Sequence, residues 1–158
     1  MTDINEILRN NPISAVSLYS QIQADYLVQL GKRLSAKMDT YEGTIDDFTE
    51  TYGQFWLWLL GAYEVIRTLC EYSDQFDPDF AEKLQELKRD LAKVRVPFAK
   101  QEYRGRSEGI GGDLSVTSFG KDMKFQIDGE EVSSQDVIAK VTNFIESIDL
   151  NQIDPNAS

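Results

Sequence analysis

Two sets of side chains in this sequence have types and spacings suited to chemistry. Glu64 and Arg67 lie three residues apart, about one helical turn, within the segment Gly53 to Tyr72. Arg95 and Lys100 open a second set that runs on through Glu102, Tyr103 and Arg104. Arginine is a planar, permanently charged fork that fits a phosphate or a carboxylate, and lysine is a compact point charge. Glu64 or Glu71 beside those cations would orient them in a polar cleft lined by Trp56 and Tyr63. The other reading is an ion-pair network that fixes helix register, with Arg67 also reaching Glu71 at i+4. A polar, phosphate-binding cleft and a structural network therefore both fit Glu64, Arg67, Arg95, Lys100, Glu102, Tyr103 and Arg104. No catalytic residue can be named.

The missing residue types narrow the chemistry further. With no histidine, a Ser-His-Asp or Cys-His relay and an imidazole-ligated zinc site are excluded, and one cysteine cannot build a thiolate site. Asp46, Asp47 and Glu50 sit at a helix start, where acids complement the dipole. Asp128-Gly-Glu-Glu131 lacks EF-hand spacing and reads as a turn. Neither a metal nor a cofactor is expected. Cys70 lies among Val65, Ile66 and Leu69, which suits a buried, inert filler in a reducing cytoplasm. No signal peptide is visible at Met1 to Glu6, and the apolar run Phe55 to Leu60 is far too short to span a bilayer.

Charge is unevenly spread. Seven basic residues between Lys88 and Arg106 face two acids, a local charge of +5 in a chain of −11, so the remainder carries −16. The acidic body disfavours nucleic acid and anionic membrane in general. The basic strip suits a phosphate, an acidic partner surface or a second copy of the chain, or is simply a solvated helix face.

The elements that must hold these groups follow from periodicity. A helix is expected over about Ile13 to Met38, with an apolar stripe of Val16, Tyr19, Ile22, Tyr26, Leu30, Leu34 and Met38. A short turn, Ile4 to Arg9, precedes it. Thr44 and Asp47 cap a central helix reaching about Gln75. From Phe55 to Leu60 this helix is apolar on every side, so it should be wrapped by others, with Glu64 and Arg67 inside the packing. Asp77-Pro78 starts the next helix, whose seam is Phe80, Leu84, Leu87, Leu91, Val94 and Phe98; Pro97 predicts a kink or break around Val94 to Val96. Arg104 to Asp113, with four glycines, reads as a connector. Alternation then predicts a β-hairpin over about residues 114–128, turning at Gly120 to Asp122. Ser133 and Asp136 cap a last helix that buries Val137, Ile138, Val141, Phe144, Ile145 and Ile148. The expected fold is mainly α: an up-down bundle of four to five helices with a small β-hairpin inserted before the C-terminal helix. Residues 1–150 form one domain and 151–158 a polar tail, loose from Asp149.

On that layout, Leu91-Ala-Lys-Val-Arg95-Val-Pro-Phe-Ala-Lys100, followed by Gln-Glu-Tyr-Arg, resembles the signature of HEPN domains. Those are small helical bundles whose late helix carries an arginine and then a histidine, often as Arg-Asn-x-x-Ala-His. Arg95 and Ala99 match; Val96 replaces the asparagine and Lys100 the histidine. Gly61-Ala-Tyr-Glu-Val-Ile-Arg67 also resembles the family's core helices, and the likeness covers residues 13 to 104. It implies a dimer and, in active members, metal-independent ribonuclease chemistry centred on the histidine. Lysine can hold a phosphate, but it shuttles protons poorly near neutral pH unless burial lowers its pKa by several units. The resemblance thus implies a binding or structural version of the fold.

Three functions are compatible with these residues. The first is a non-enzymatic helical interaction domain, homodimeric, whose basic strip meets an acidic surface and which takes a protein partner or nucleic acid. The second is an RNA-binding or RNA-cleaving protein using Arg95, Lys100, Arg104 and Glu102 or Tyr103. The third is a small-ligand binder around Glu64, Arg67 and Tyr63. The first is the expectation taken forward.

Overall fold

The structure, a computed structural model, describes residues 6–7, 10–100, 116–118 and 120–153, with Lys100 described in its backbone alone. Among these the chain is mainly α. Helices α1 (Leu18–Asp39), α2 (Ile45–Glu71) and α3 (Pro78–Lys100) run up and down. A small antiparallel sheet of β1 (Val116–Ser118), β2 (Lys124–Ile127) and β3 (Glu130–Ser133) precedes α4 (Ser134–Glu146). Each helix start has a side-chain acceptor for an orphan amide. The Ser17 hydroxyl accepts from Ser20 N (3.2 Å), Thr44 from Asp47 N (3.1 Å), Asp77 from Phe80 N (3.0 Å) and Ser133 from Asp136 N (3.0 Å).

The centre is aromatic. Trp58 and Phe55 are fully buried on α2, and the Trp58 indole N–H donates to the Leu27 carbonyl at 3.0 Å. Gly31 makes room for that indole: a Cβ there would stand 3.0 Å from Trp58 Nε1, 3.0 Å from Thr142 Cγ2 and 3.2 Å from Ile138 Cγ2. On α3 the seam from Phe80 through Leu84, Leu87, Leu91 and Val94 is buried, ending in the half-buried Phe98. The sheet closes the end of the bundle where α2 begins and α3 ends. Phe125 of β2 stacks on Phe55 (5.7 Å) and meets Phe98 edge-on (4.6 Å). Asp122 ties the sheet to α4, accepting from the Ser134 hydroxyl (3.0 Å) and Gln135 N (3.1 Å).

Four expectations change. The helix from Ile13 to Met38 is broken into a 3-10 turn at Pro12–Ala15 and α1, and α1 is rotated from its expected phase. It buries Ser20, Gln21, Ala24, Leu27, Val28, Gly31, Leu34 and Met38, so the expected stripe holds only near its C-terminal end. The hairpin gains a third strand: β3 pairs with β2 from Lys124↔Ser133 to Ile127↔Glu130. Its tight turn is Asp128-Gly129, both at positive φ (52° and 85°), the two-residue turn whose twist suits a hairpin. Helix α3 runs without a break through Pro97. Pro97 lies in the last turn, so few bonds depend on it, and Phe98 is anchored against Tyr52, Phe55 and Phe125. The stretch from Asp149 is ordered to Ile153 by a reciprocal Asp149–Gln152 cap and a bridge between Phe76 and Ile153. Most of Ile4 to Arg9, and all of Arg104 to Asp113, lie outside the described residues.

Candidate functional site

Glu64 and Arg67 meet, but at the surface. Arg67 Nε donates to Glu64 Oε2 at 2.8 Å, and Arg67 Nη1 donates to Glu71 one turn further along α2. The Arg67 side chain is 39% exposed and that of Glu64 51%, so the network lies in water instead of inside the packing. The reason is the phase of α2. Val65, Ile66, Leu69 and Cys70 fill the buried side, which leaves positions 64, 67, 68 and 71 on the outer one. Glu64, first through its hydrogen bond, and then Glu71 push the Arg67 guanidinium further up, so it stays charged. An exposed network of this kind contributes little to stability.

Arg95 does not join them. Its guanidinium carbon sits 4.7 Å from the centroid of the Tyr63 ring, a cation–π contact between α3 and α2. Its Nε is buried with no hydrogen-bond partner. Among the described residues no carboxylate pairs with it, since Glu64 and Glu71 are both taken by Arg67. Lys100 ends α3 five positions on. Glu102, Tyr103 and Arg104 fall outside the described residues. The seven candidates therefore divide into a Glu64–Arg67 pair, an Arg95 stacked on Tyr63, and a remainder whose side chains are not described. Cys70 is buried and donates to the Leu84 carbonyl at 3.6 Å; burial is the main cause that pushes its thiol up, away from the reactive thiolate.

An exposed apolar face includes three residues that periodicity assigned to the interior, Tyr19, Ile22 and Tyr26. On α1, Leu18 (61% exposed), Tyr19 (80%), Ile22 (57%) and Tyr26 (58%) face outward. Leu18, Ile22 and Tyr26 are spaced by four and so form one continuous ridge. Beside it on α2 stand Leu57 (60%) and, a step round the helix, Trp56 (36%). A groove of about 270 Å³ joins the two helices, lined by Tyr26, Leu30, Leu57 and Gly61 and ending at Glu64. Helix α2 is thus apolar all round where it is not wrapped all round. The signal was present in the sequence: α1 carries small residues (Ser20, Ala24, Gly31) at helical spacing beside its aromatic ones, a second and narrower face able to approach a neighbour closely.

Among the described residues no helix is long and apolar enough to cross a membrane. Neither a family model, nor a curated protein, nor a solved structure matches this chain.

Proposed function

We propose that this chain is a non-enzymatic helical interaction domain that pairs with a second copy of itself through the outer faces of α1 and α2. The observation that carries this reading is the exposed row Leu18, Tyr19, Ile22 and Tyr26 alongside Trp56 and Leu57. An aromatic side chain buries about 150–250 Å² when covered. Six large apolar side chains in this state approach the roughly 800 Å² that each partner contributes to a stable interface. An apolar ridge and groove are also self-complementary, as a two-fold interface requires. The next turns of α2 present both signs, Glu64 and Glu71 with Arg67, so the charged rim can meet its own symmetry copy. The net charge of −11 argues against anionic membrane and nucleic acid as occupants of this face. The reading corresponds to an inactive HEPN-like protein, with Lys100 where that signature has its histidine, working in a reducing cytoplasm that suits its single buried cysteine.

Sedimentation equilibrium tests it. Wild type is expected to be a dimer at micromolar concentration, and Tyr26→Glu with Leu57→Glu a monomer with unchanged helical circular dichroism. A wild-type chain that stays monomeric up to its solubility limit would overturn the reading. One observation favours a second function, RNA binding through Arg95, Lys100 and Arg104: the Arg95 guanidinium has no carboxylate partner among the described residues. RNA affinity that falls steeply with salt and is lost in Arg95→Ala would support it.

A further inference from the structure

A second cleft lies away from the α1/α2 face, between α3, the sheet and α4. Its volume is about 230 Å³, half as large again as the roughly 150 Å³ engineered cavity that holds benzene. The floor is aliphatic: Leu87, Leu91 and Val94 from α3, Ile127 from β2, and Val137 and Val141 from α4. The mouth is charged: both of its cations stand on the helical lip, around the single acid Asp90, and the sheet lip carries acids alone. On the helical lip Lys140 of α4 donates to Asp90 of α3 at 2.7 Å, and Lys93 approaches the same carboxylate only to 3.5 Å. Two ammonium groups thus share one acid, which leaves a surplus of positive charge. On the sheet lip are Asp128 and Glu130, and Glu130 pairs with no cation among the described residues.

A ligand matched to this arrangement has one apolar arm of benzene-like size, an anionic group near its base and a cationic group beside that. We propose that the cleft binds a zwitterionic small molecule of the class of free α-amino acids with a large apolar side chain. The side chain occupies the aliphatic floor, the carboxylate lies against Lys93 and Lys140, and the ammonium lies toward Glu130. A simple fatty acid meets the Glu130 carboxylate on the sheet lip, and a simple amine meets the ammonium groups of Lys93 and Lys140 on the helical one. Each half-matched ligand loses on one side what it gains on the other.

Methyl-labelled protein titrated with L-phenylalanine, 3-phenylpropanoate and 2-phenylethylamine separates the cases, because the three share an arm and differ in the head. The expected result is saturable shifts at Leu91, Val94, Val137 and Val141 with phenylalanine, and binding about tenfold weaker for each of the other two. Glu130→Gln is expected to weaken phenylalanine by up to about fivefold, since exposed pairs are worth at most about 1 kcal/mol; as a surface change it leaves the fold intact. No shift with phenylalanine at millimolar concentration, or equal affinity for the propanoate or the amine, would overturn the proposal. Dimerisation through α1 and α2 is read out independently of all three titrations.

Discussion

Helices α1 and α3 each carry a row of large apolar side chains at helical spacing, yet they turn those rows in opposite directions. On α3 the row from Phe80 to Val94 is buried without interruption. On α1 the buried side is Ser20, Ala24, Leu27, Val28 and Gly31, while Leu18, Tyr19, Ile22 and Tyr26 face out. The difference lies in what else each helix offers. Beyond its row α3 is charged, with Glu82, Lys83, Glu86 and Arg89 exposed, so only one face can go inside. Helix α1 has two apolar faces, and the one made of small residues wins the interior because Trp58 and α4 can come close to it. Periodicity reports that a helix is amphipathic; the sizes of the residues decide which neighbour covers it.

The sharpest way to break this contrast is at the two tryptophans. Trp58→Ala removes a fully buried indole and the donor to the Leu27 carbonyl, and is expected to cost about 3–5 kcal/mol in urea unfolding. Trp56→Ala, at the rim of the exposed face, should stay within about 1 kcal/mol. A similar loss from both would mean that Trp56 is covered within the monomer. Next in size, Tyr26→Ala with Leu57→Ala is expected to weaken self-association by about 2 kcal/mol or more while leaving monomer stability nearly unchanged. A calorimetric dilution series reads the first quantity and denaturation at low concentration the second. Gly31→Ala should destabilise by about 1–3 kcal/mol because its new methyl would meet the indole and Thr142 at 3.0 Å. Gly61→Ala is the control: its methyl would meet only Leu27 Cδ1, at an ordinary 3.5 Å, and helix propensity then makes it neutral or stabilising by up to about 1 kcal/mol.

The smallest effect concerns acid. The hydrogen bond from Lys140 is the main cause that holds the Asp90 carboxyl below its ordinary value. A carboxyl lowered on folding adds stability above its unfolded pKa of about 3.9, and that contribution fades as pH falls through the lower folded value. Asp90→Asn should remove under about 1 kcal/mol at neutral pH and flatten the acid limb of the stability curve below about pH 4. A limb of unchanged slope would show that this cross-link between α3 and α4 does not survive in water.

Much of the fold was legible in the sequence because its signals were local. The Thr44 and Ser133 caps, the Asp77-Pro78 start, the α3 seam and the α4 stripe are each set by residues within a turn or two of one another. What escaped needed a partner element. The phase of α1 depends on the Trp58 indole lodging against Gly31. Strand β3 has only Val132 as an apolar residue between two acids and Ser133, so alternation could not find it, although Asp128-Gly129 after Met123, Phe125 and Ile127 marks the turn. The site was read unevenly for the same reason. The link from Glu64 and Arg67 to Glu71 is an i+3 and i+4 matter and formed as spaced, but its exposure depended on the rotation of α2 in the bundle. Arg95 lying on Tyr63 is a contact between helices that no spacing along one helix announces.

The earliest long helix of this chain rests on the latest one. Gly31 is pressed against Ile138 and Thr142, Gln135 donates to the Ser35 carbonyl at 3.3 Å, and Lys32 pairs with Glu146. As the nascent polypeptide leaves the ribosome, α1 therefore emerges uncovered, and the part of its inner side that faces α4 waits until α2, α3 and the sheet have been made. Contacts so far apart in sequence form slowly. During that interval the aromatic row of α1 and its small-residue side are both open to chaperones and to other unfinished chains. Assembly through that row would thus follow the arrival of α4, which locks the inner side first.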